Sequence, residues 1–262
     1  MSFRDYSPVE ILMHELGASL LEWRVDPGQR KVLAPAQFKT VADIRAHEQI
    51  ASGLGRIFPD LPVLSEEEAW NDERPAEYWL IDPIDGTASW YEGFSGFVTQ
   101  AAFIREGEPL YGIVHAPALG ITWEGVKLAD SWSARRNGKT LPRLVPSDRL
   151  LLCDNYPQPR GVMQLLSESL PVTGYVESGS LGLKCCLVAD GTADLFVKNV
   201  VVRDWDIAPA APVIAAVGGV VCLTDGAPYS FTGPMEKPTG IIVARDGDLA
   251  QTTVNVLSRK DR

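Results

Sequence analysis

The sequence predicts an α/β or α+β fold with layered sheets, and three observations support this class. Hydrophobic residues make up 45% of the 262 residues and charged residues 22%, which is typical of a globular protein and argues against a disordered or fibrous one. Two N-terminal segments show helical periodicity. Beyond them, short apolar runs alternate with turn signals, and helical and strand patterns are mixed after about residue 150.

Two helices are predicted at the N-terminus. The first begins at a capping-box pattern, Ser7-Pro8-Val9-Glu10, and its apolar residues recur at helical spacing to about Trp23. The second begins at Thr40, because Thr40 and Asp43 form a capping pattern, and it ends at the break Phe58-Pro59-Asp60.

The remaining elements are read from apolar runs bounded by turn residues. The pattern predicts strands at Pro62–Leu64, Tyr78–Ile81, Phe97–Ile104, Leu110–His115, Val220–Leu223 and Gly240–Ala244. It predicts helices at Leu183–Ala189, Trp205–Val217 and Leu249–Leu257, the second of these ended by Gly218-Gly219. No linker marks a boundary, so we expect residues 1–262 to form a single unit with approximate halves 1–145 and 146–262.

Composition excludes several classes of protein. With 24 Lys+Arg against 34 Asp+Glu the net charge is −10, which leaves no general basic surface for a nucleic-acid polymer. No stretch approaches the roughly 18 to 20 apolar residues that span a bilayer, and the N-terminus lacks a signal-peptide core, so we expect a cytoplasmic protein that binds no membrane. The four cysteines lack a C-x-x-C pairing and are expected to be reduced core thiols.

The most informative motif is Asp82-Pro83-Ile84-Asp85-Gly86-Thr87, at the end of a buried-looking strand. Two carboxylates beside a strand end suit Mg²⁺, a hard cation that prefers oxygen ligands. Gly86 allows the backbone to come close to a phosphate, to which the amides of Gly86 and Thr87 can donate. The alternative is that Asp-Pro and Asp-Gly are simple turn formers. Taken singly, Glu66 in an acidic run and Asp206 at a helix start also have such alternatives, a solvated face and a cap.

Together, the segments L-S-E-E from Leu64, D-P-I-D-G-T from Asp82, and W-D-I-A-P-A from Trp205 with the following Gly218-Gly219 resemble the inositol monophosphatase superfamily. Lys39–Asp43 is similar to the family's "VTxAD" segment, so the resemblance extends from about residue 5 to about residue 245.

The resemblance implies a magnesium-dependent phosphomonoesterase that lithium inhibits. It implies a layered α-β-α-β-α sandwich of the inositol monophosphatase and fructose-1,6-bisphosphatase type, and a homodimer. It implies two or three Mg²⁺ ions, of which one lowers the pKa of the attacking water and another stabilises the leaving oxygen. The ligands that the resemblance implies are Glu66, Asp82, the Ile84 carbonyl, Asp85 and Asp206.

The resemblance also assigns the remaining roles at the site. Gly86 and Thr87 would hold the phosphate, with Asp206 on the substrate side of the metals. Asp43 would accept a hydrogen bond from Thr87, and Glu67 would orient bound water or the neighbouring ligand Glu66.

The resemblance implies that the substrate is a small phosphate ester. The segments Pro62–Glu67 and Gly179–Gly191 most resemble the bacterial 3'(2'),5'-bisphosphate nucleotidase branch, whose substrates include 3'-phosphoadenosine 5'-phosphate. Lys198 stands where inositol monophosphatases carry a Glu that binds inositol hydroxyls, and a cation there suits a second phosphate. The alternative for Lys198 is a solvated surface lysine, and inositol 1-monophosphate and sugar (bis)phosphates stay open as substrates.

Two other readings stay open. Asp204-Trp205-Asp206 after Val200–Val202 resembles the D-x-D signature of haloacid dehalogenase-type phosphatases, which would make Asp204 a covalent nucleophile. The chain could also be a catalytically inactive metal- or anion-binding protein. Aromatic residues after the turn could line a base or sugar, or could be core: Trp90, Tyr91, Phe94 and Phe97.

Overall fold

A computed structural model describes residues 4–34, 38–69, 73–129 and 131–260. The helices are α1 (Ser7–Trp23), α2 (Val41–Ile57), α3 (Thr87–Glu92), α4 (Val162–Ser169), α5 (Leu181–Ala189), α6 (Asp204–Ile207), α7 (Ala211–Val217) and α8 (Gly247–Lys260). No helix in these ranges is long and apolar enough to cross a membrane.

The larger sheet has the strand order β3-β4-β5-β6-β7-β8-β9. Its strands are β3 (Val63–Ser65), β4 (Glu77–Asp85), β5 (Val98–Arg105), β6 (Glu108–Ala116), β7 (Ile121–Leu128), β8 (Ser131–Arg136) and β9 (Lys139–Thr140). Only the pair β3 and β4 is parallel among the described strands of this sheet, and the others form an antiparallel meander.

The smaller sheet has the order β11-β10-β12-β16-β14 and comes entirely from the second half of the chain. Its strands are β10 (Leu151–Asp154), β11 (Gly174–Glu177), β12 (Leu195–Lys198), β14 (Val220–Leu223) and β16 (Ile241–Ala244). Two short ribbons complete the strands, β1 (Val32–Ala34) with β2 (Lys39–Thr40) and β13 (Val202–Arg203) with β15 (Glu236–Lys237).

Three hydrophobic cores of described residues hold the five layers of the fold together. The first core lies between α1 and α2 and the larger sheet, the second encloses α5, α6 and α7 between the two sheets, and the third lies between the smaller sheet and α4 and α8. This arrangement confirms the predicted α-β-α-β-α sandwich. The division into halves 1–145 and 146–262 stays a prediction. The second core contains residues of both halves.

The helix ends explain two departures from the sequence analysis. The first helix begins at Ser7, and the predicted Ser7 capping box does not form, because the N-cap is Tyr6, which makes no side-chain cap hydrogen bond. The backbone N–H and the hydroxyl of Ser7 donate instead to Asp5 Oδ1 at 3.0 and 2.7 Å. The single helix predicted over Trp205–Val217 is wrong. It is divided into α6 and α7 around Pro209, which lacks an N–H group and cannot continue the hydrogen-bond ladder.

Candidate active site

A cleft of about 480 Å³ lies where the end of β4 faces the second half of the chain. One wall carries Asp85 and Gly86 from the end of β4, and another carries Lys198 from the end of β12 and Asp206 from α6. Residues from distant parts of the sequence therefore meet in a volume typical of small-molecule sites.

A β-bulge brings the two aspartates of the motif to one face of β4. Along the regular part of the strand, Leu80 faces the central core and Ile81 faces α1 and α2. The register with β5 shifts between Asp82 and Asp85, and Ile84 packs in the core of α1 and α2. The bulge thus reverses the alternation, so that Asp82 and Asp85 share the face toward the central layer.

The acids of the site repel one another. Burial, followed by the charges of Glu66 and Asp85, raises the pKa of Asp82 well above its usual range. The pKa of Glu66 is raised to about 8, first by burial of its carboxyl and then by the charges of Asp206 and Glu67. Glu66 as a whole residue is exposed, but its carboxyl group is hydrogen-bonded to Asp82. Burial and then the charge of Asp85 raise the pKa of Asp206 to about 6. Four carboxylates are therefore held close together in one region of the protein.

The turn after β4 places the backbone N–H groups at the start of α3 next to these acids in sequence. Gly86 has φ of 88° and precedes α3, which begins at Thr87. A Cβ atom at this glycine would lie 3.1 Å from the carbonyl oxygen of Gly96, so both the backbone angle and the space favour glycine. The Thr87 hydroxyl lies 2.9 Å from Asp43 Oδ1 and 3.0 Å from the Ile84 carbonyl oxygen.

Asp43 also completes the capping box of α2, whose N-cap is Thr40. Its Oδ2 accepts from the N–H and hydroxyl of Thr40 at 2.7 and 2.6 Å, which confirms the predicted capping pattern. Burial raises its pKa to about 6, although the hydrogen bonds from Thr40 act in the opposite direction. Asp43 thus joins the start of α2 to the turn that carries Thr87.

The donor set fits a hard divalent cation. All the candidate side-chain ligands are carboxylates, and Asp82 Oδ1 is buried without a hydrogen-bond partner in the described part of the chain. A cation would offset both the burial of these carboxylates and the charge repulsion that, after burial, raises the pKa values of Glu66, Asp82 and Asp206. In the same described ranges, no group of three or more His, Cys, Asp or Glu side chains has the close arrangement that encloses a metal ion. Asp85 in particular uses both of its carboxylate oxygens to accept hydrogen bonds, from the backbone amides of Leu181 and Gly182.

Cations line the same cleft as Asp85 and Asp206. Lys198 is half-buried, and its charge lowers the pKa of Asp206. Lys184 is only 3% exposed, and its ammonium group donates to the Asn155 side chain and the Gly179 carbonyl. Arg160 stacks over the Tyr156 ring at 4.6 Å. Sequence reasoning missed Tyr156 and Arg160, which lie in an irregular loop with no motif to signal them.

The other candidates divide between the site and the core. Glu67 lies 2.5 Å from the Lys39 ammonium, at the edge of the acidic cluster. Trp90 and Phe97 are buried core, and Phe94 is exposed outside the residues that line the cleft. Asp204 is fully buried, forming ion pairs with Arg74 at 2.6 Å and Lys237 at 3.2 Å, so it is not placed as a nucleophile.

The four cysteines are free and buried, as predicted. Burial raises the pKa of the Cys153 thiol to about 12, so this sulfur stays protonated at neutral pH. The described cysteines therefore contribute to the core.

Comparison with known proteins gives a consistent family and fold. The sequence profile of the inositol monophosphatase family matches residues 18–261. The 3'(2'),5'-bisphosphate nucleotidase CysQ of Escherichia coli K12 is 32% identical over 201 residues, covering 74% of this chain and 79% of the relative. The corresponding protein of Salmonella typhimurium is 33% identical over 204 residues with the same coverage.

Solved structures extend the similarity over nearly the whole chain. An inositol monophosphatase from Thermotoga maritima superposes with a TM-score of 0.76 at 26% identity, covering 95% of this chain and 96% of the other. CysQ from Bacteroides thetaiotaomicron superposes with a TM-score of 0.75 at 20% identity, covering 92% and 97%. At this identity, the second similarity supports the fold alone.

Proposed function

The chain belongs to the inositol monophosphatase family, whose enzymes are generally metal-dependent hydrolases of phosphate esters, and we propose that it is a Mg²⁺-dependent 3'(2'),5'-bisphosphate nucleotidase. The observation that carries this proposal is that one cleft is lined by Asp85, Gly86 and Asp206 together with the cations Lys198 and Arg160. Glu66 and Asp82 interact through their charges with these acids. The acids suit the metals at the reacting phosphate, and the cations suit a second phosphate.

In this proposal, two or three Mg²⁺ ions are held by Glu66, Asp82, the Ile84 carbonyl, Asp85 and Asp206. When bound, magnesium lowers the pKa of a water molecule and neutralises charge on the phosphoryl and leaving oxygens. The protein's own contribution is to gather carboxylates that would otherwise repel one another, at the end of a rigid strand.

The turn after β4 would bind the reacting phosphate. The Gly86 and Thr87 amides are at the start of α3, where backbone N–H groups lack helical partners and can donate to phosphate oxygens. Asp43 accepts from the Thr87 hydroxyl and fixes its orientation. Glu67, near Lys39, would orient a bound water or Glu66, and Asp206 would face the substrate.

A second anion distinguishes the candidate substrates. Lys198 and Arg160 could each pair with the non-reacting phosphate of 3'-phosphoadenosine 5'-phosphate, while the exposed Tyr156 ring offers a stacking surface for the base. The two relatives named CysQ at 32–33% identity favour this substrate over inositol 1-monophosphate. Sugar bisphosphates are the second candidate class, since they too carry two phosphates.

The test is a comparison of specificity constants. Wild type should prefer 3'-phosphoadenosine 5'-phosphate over inositol 1-monophosphate and fructose 1,6-bisphosphate. Lys198→Glu should lower the ratio of the specificity constant for 3'-phosphoadenosine 5'-phosphate to that for inositol 1-monophosphate by about one to two decades. The reason is that a charge-assisted hydrogen bond to phosphate contributes roughly 1.5 to 3 kcal/mol. Lys139→Glu, the same change on the exposed strand β9, is the control. An unchanged ratio in Lys198→Glu would show that Lys198 does not contact the second phosphate and would contradict its assigned role.

Metal dependence is tested separately. Activity should disappear with excess chelator and return with Mg²⁺, and Asp82→Asn or Asp85→Asn should lower turnover by orders of magnitude in a folded protein. Full activity in chelator would contradict the metal mechanism. Binding of Mg²⁺ without hydrolysis of any ester would favour the inactive metal-binding alternative.

The homodimer and the cytoplasmic location implied by the sequence analysis are proposals as well. Light scattering coupled to size exclusion tests the first by measuring the molar mass in solution. A monomer across a wide concentration range would contradict it.

A further inference from the structure

Gln100 is a buried amide that touches both aspartates of the motif. It lies on β5 directly opposite Asp82 in the sheet register and is fully buried. Its Nε2 atom is 3.4 Å from Asp82 Oδ2 and 3.4 Å from Asp85 Oδ2. The same atom is 3.2 Å from the carbonyl oxygen of Trp205, the residue that precedes Asp206. One side chain therefore contacts two candidate ligands and the backbone next to a third.

The strand geometry requires a side chain of this length and polarity. The bulge after Asp82 moves Asp85 along the strand, so a donor on β5 must reach past the directly opposite residue to touch both carboxylates. An amide NH₂ group supplies two donors without adding charge. A carboxylate there would add to the repulsion, and a lysine would compete with a metal for the acids.

Packing alone does not explain an amide at this position. Gln100 Oε1 is buried and has no hydrogen-bond partner within the described ranges, which is unfavourable in a core where an apolar side chain would fit. Gly182 leaves the space that the amide occupies, because a Cβ atom there would lie 2.0 Å from Gln100 Oε1. The Nε2 contacts to the carboxylates are what distinguish Gln100 from an apolar core residue.

We propose that Gln100 is a positioning residue for the metal site. Its Nε2 group lies against Asp82 Oδ2, Asp85 Oδ2 and the Trp205 carbonyl oxygen, and so would hold these two candidate ligands in place relative to each other and to the segment that carries Asp206. The proposal rests on the proposed Mg²⁺-dependent function and names the residue that sets the geometry of its ligands.

The experiment measures Mg²⁺ binding by isothermal titration calorimetry, independently of catalysis. Gln100→Leu removes the donor at similar volume and should weaken Mg²⁺ affinity roughly tenfold or more, the usual effect of losing a group that orients a metal ligand. In kinetics at fixed Mg²⁺ it should lower kcat more than it raises KM for the phosphate ester. Gln100→Asn keeps an amide opposite Asp82 but shortens its reach, so its Mg²⁺ affinity should lie between those of Gln100→Leu and wild type.

Thr99→Val is the matched control, since Thr99 is the equally buried neighbour of Gln100 on β5 and its hydroxyl faces Met13 instead of the acids. Gly182→Ala should also weaken Mg²⁺ binding, because its methyl group would displace the Gln100 amide, but it would lie 3.2 Å from Asp85 Oδ2 as well and so tests the Gln100–Asp85 contact region as a whole. Circular dichroism checks that each variant is folded, and Gln100→Asn decides the matter if Gln100→Leu does not fold.

Wild-type Mg²⁺ affinity in the folded Gln100 and Gly182 variants would overturn the positioning role while leaving the proposed function intact. A wild type that binds no Mg²⁺ would overturn the proposed function and, with it, the role of Gln100. An equal loss of affinity in Thr99→Val would assign the effect to general disturbance of β5 and would also overturn the proposal.

Discussion

Replacing Asp206 by Asn should stabilise the metal-free protein while removing its function. Burial and the charge of Asp85 raise the pKa of Asp206 from 3.8 to about 6. A carboxyl whose pKa is higher in the folded than in the unfolded state opposes folding when it is ionised. At pH 7, above both values, the penalty is fully present; it decreases as the pH falls below about 6 and vanishes below 3.8.

The magnitude follows from this difference in pKa. Each pKa unit corresponds to about 1.4 kcal/mol, so the ionised Asp206 costs roughly 3 kcal/mol of folding free energy at pH 7. Asn keeps the shape and the acceptor for the Arg203 backbone N–H, which donates to Asp206 Oδ2 at 2.8 Å. We therefore expect a gain of about 2 kcal/mol, equivalent to a rise in Tm of roughly 4 to 8 °C.

The assay is urea unfolding in excess EDTA at pH 7 and pH 4, compared with Asp60→Asn, which removes the same charge from an exposed position. The stability gain of Asp206→Asn should be largest at pH 7 and small at pH 4, and added Mg²⁺ should stabilise wild type more than the variant. If Asp206→Asn is less stable than wild type in EDTA at pH 7, the electrostatic reasoning is refuted.

Three further predictions concern inhibition by lithium, the pH dependence of stability and a buried ion pair. Lithium at millimolar concentration should inhibit hydrolysis, as the family resemblance implies, and full activity in its presence would place the chain outside the lithium-sensitive members. The pKa of His115 is lowered from 6.5 to about 4 by burial and then by the charge of His14. The free energy of unfolding should therefore fall by up to about 3 kcal/mol as the pH drops from 6.5 to 4. His115→Gln should flatten this pH dependence in urea titrations. Arg74→Met should destabilise the fold by about 2 kcal/mol or more, because buried Asp204 would lose one of the two cations, Arg74 and Lys237, that pair with it among the described residues. An unchanged unfolding midpoint would contradict this.

Local sequence patterns predicted the elements that carry the motifs, because those elements depend on short-range periodicity. The helices at the N-terminus and the strands from Val63 to Ala116 were found in this way. Strands β7 and β8 were missed because polar and charged residues interrupt their apolar ones, although both pair with strands adjacent in sequence. Strands β10, β11 and β12 were missed because their short apolar stretches are stabilised by neighbouring strands that are distant in sequence.

The candidate site shows the same division. The motif residues could be named from the sequence, but the bulge that turns Asp82 and Asp85 to one face is a property of the register between β4 and β5. Gln100 could not be found, because a single glutamine in an apolar strand gives no signal until its partner strand is known. Lys198 and Arg160 likewise enter the cleft through the packing of the smaller sheet and its loops.

The acidic cluster explains why folding and metal binding should be linked in this protein. The described structure already offsets part of the repulsion: the Leu181 and Gly182 amides donate to Asp85, Gln100 lies between two carboxylates, and Lys198 lowers the pKa of Asp206. The donors are neutral amides, Arg203 acts on Asp206 in the same direction as Lys198, and the pKa values of Glu66, Asp82 and Asp206 stay raised in the presence of all these groups. The remaining charge is unfavourable without a cation and favourable with one. A ligand that binds only the folded state adds its binding free energy to stability, so the same carboxylates that weaken the metal-free fold should make its unfolding temperature rise with Mg²⁺ concentration.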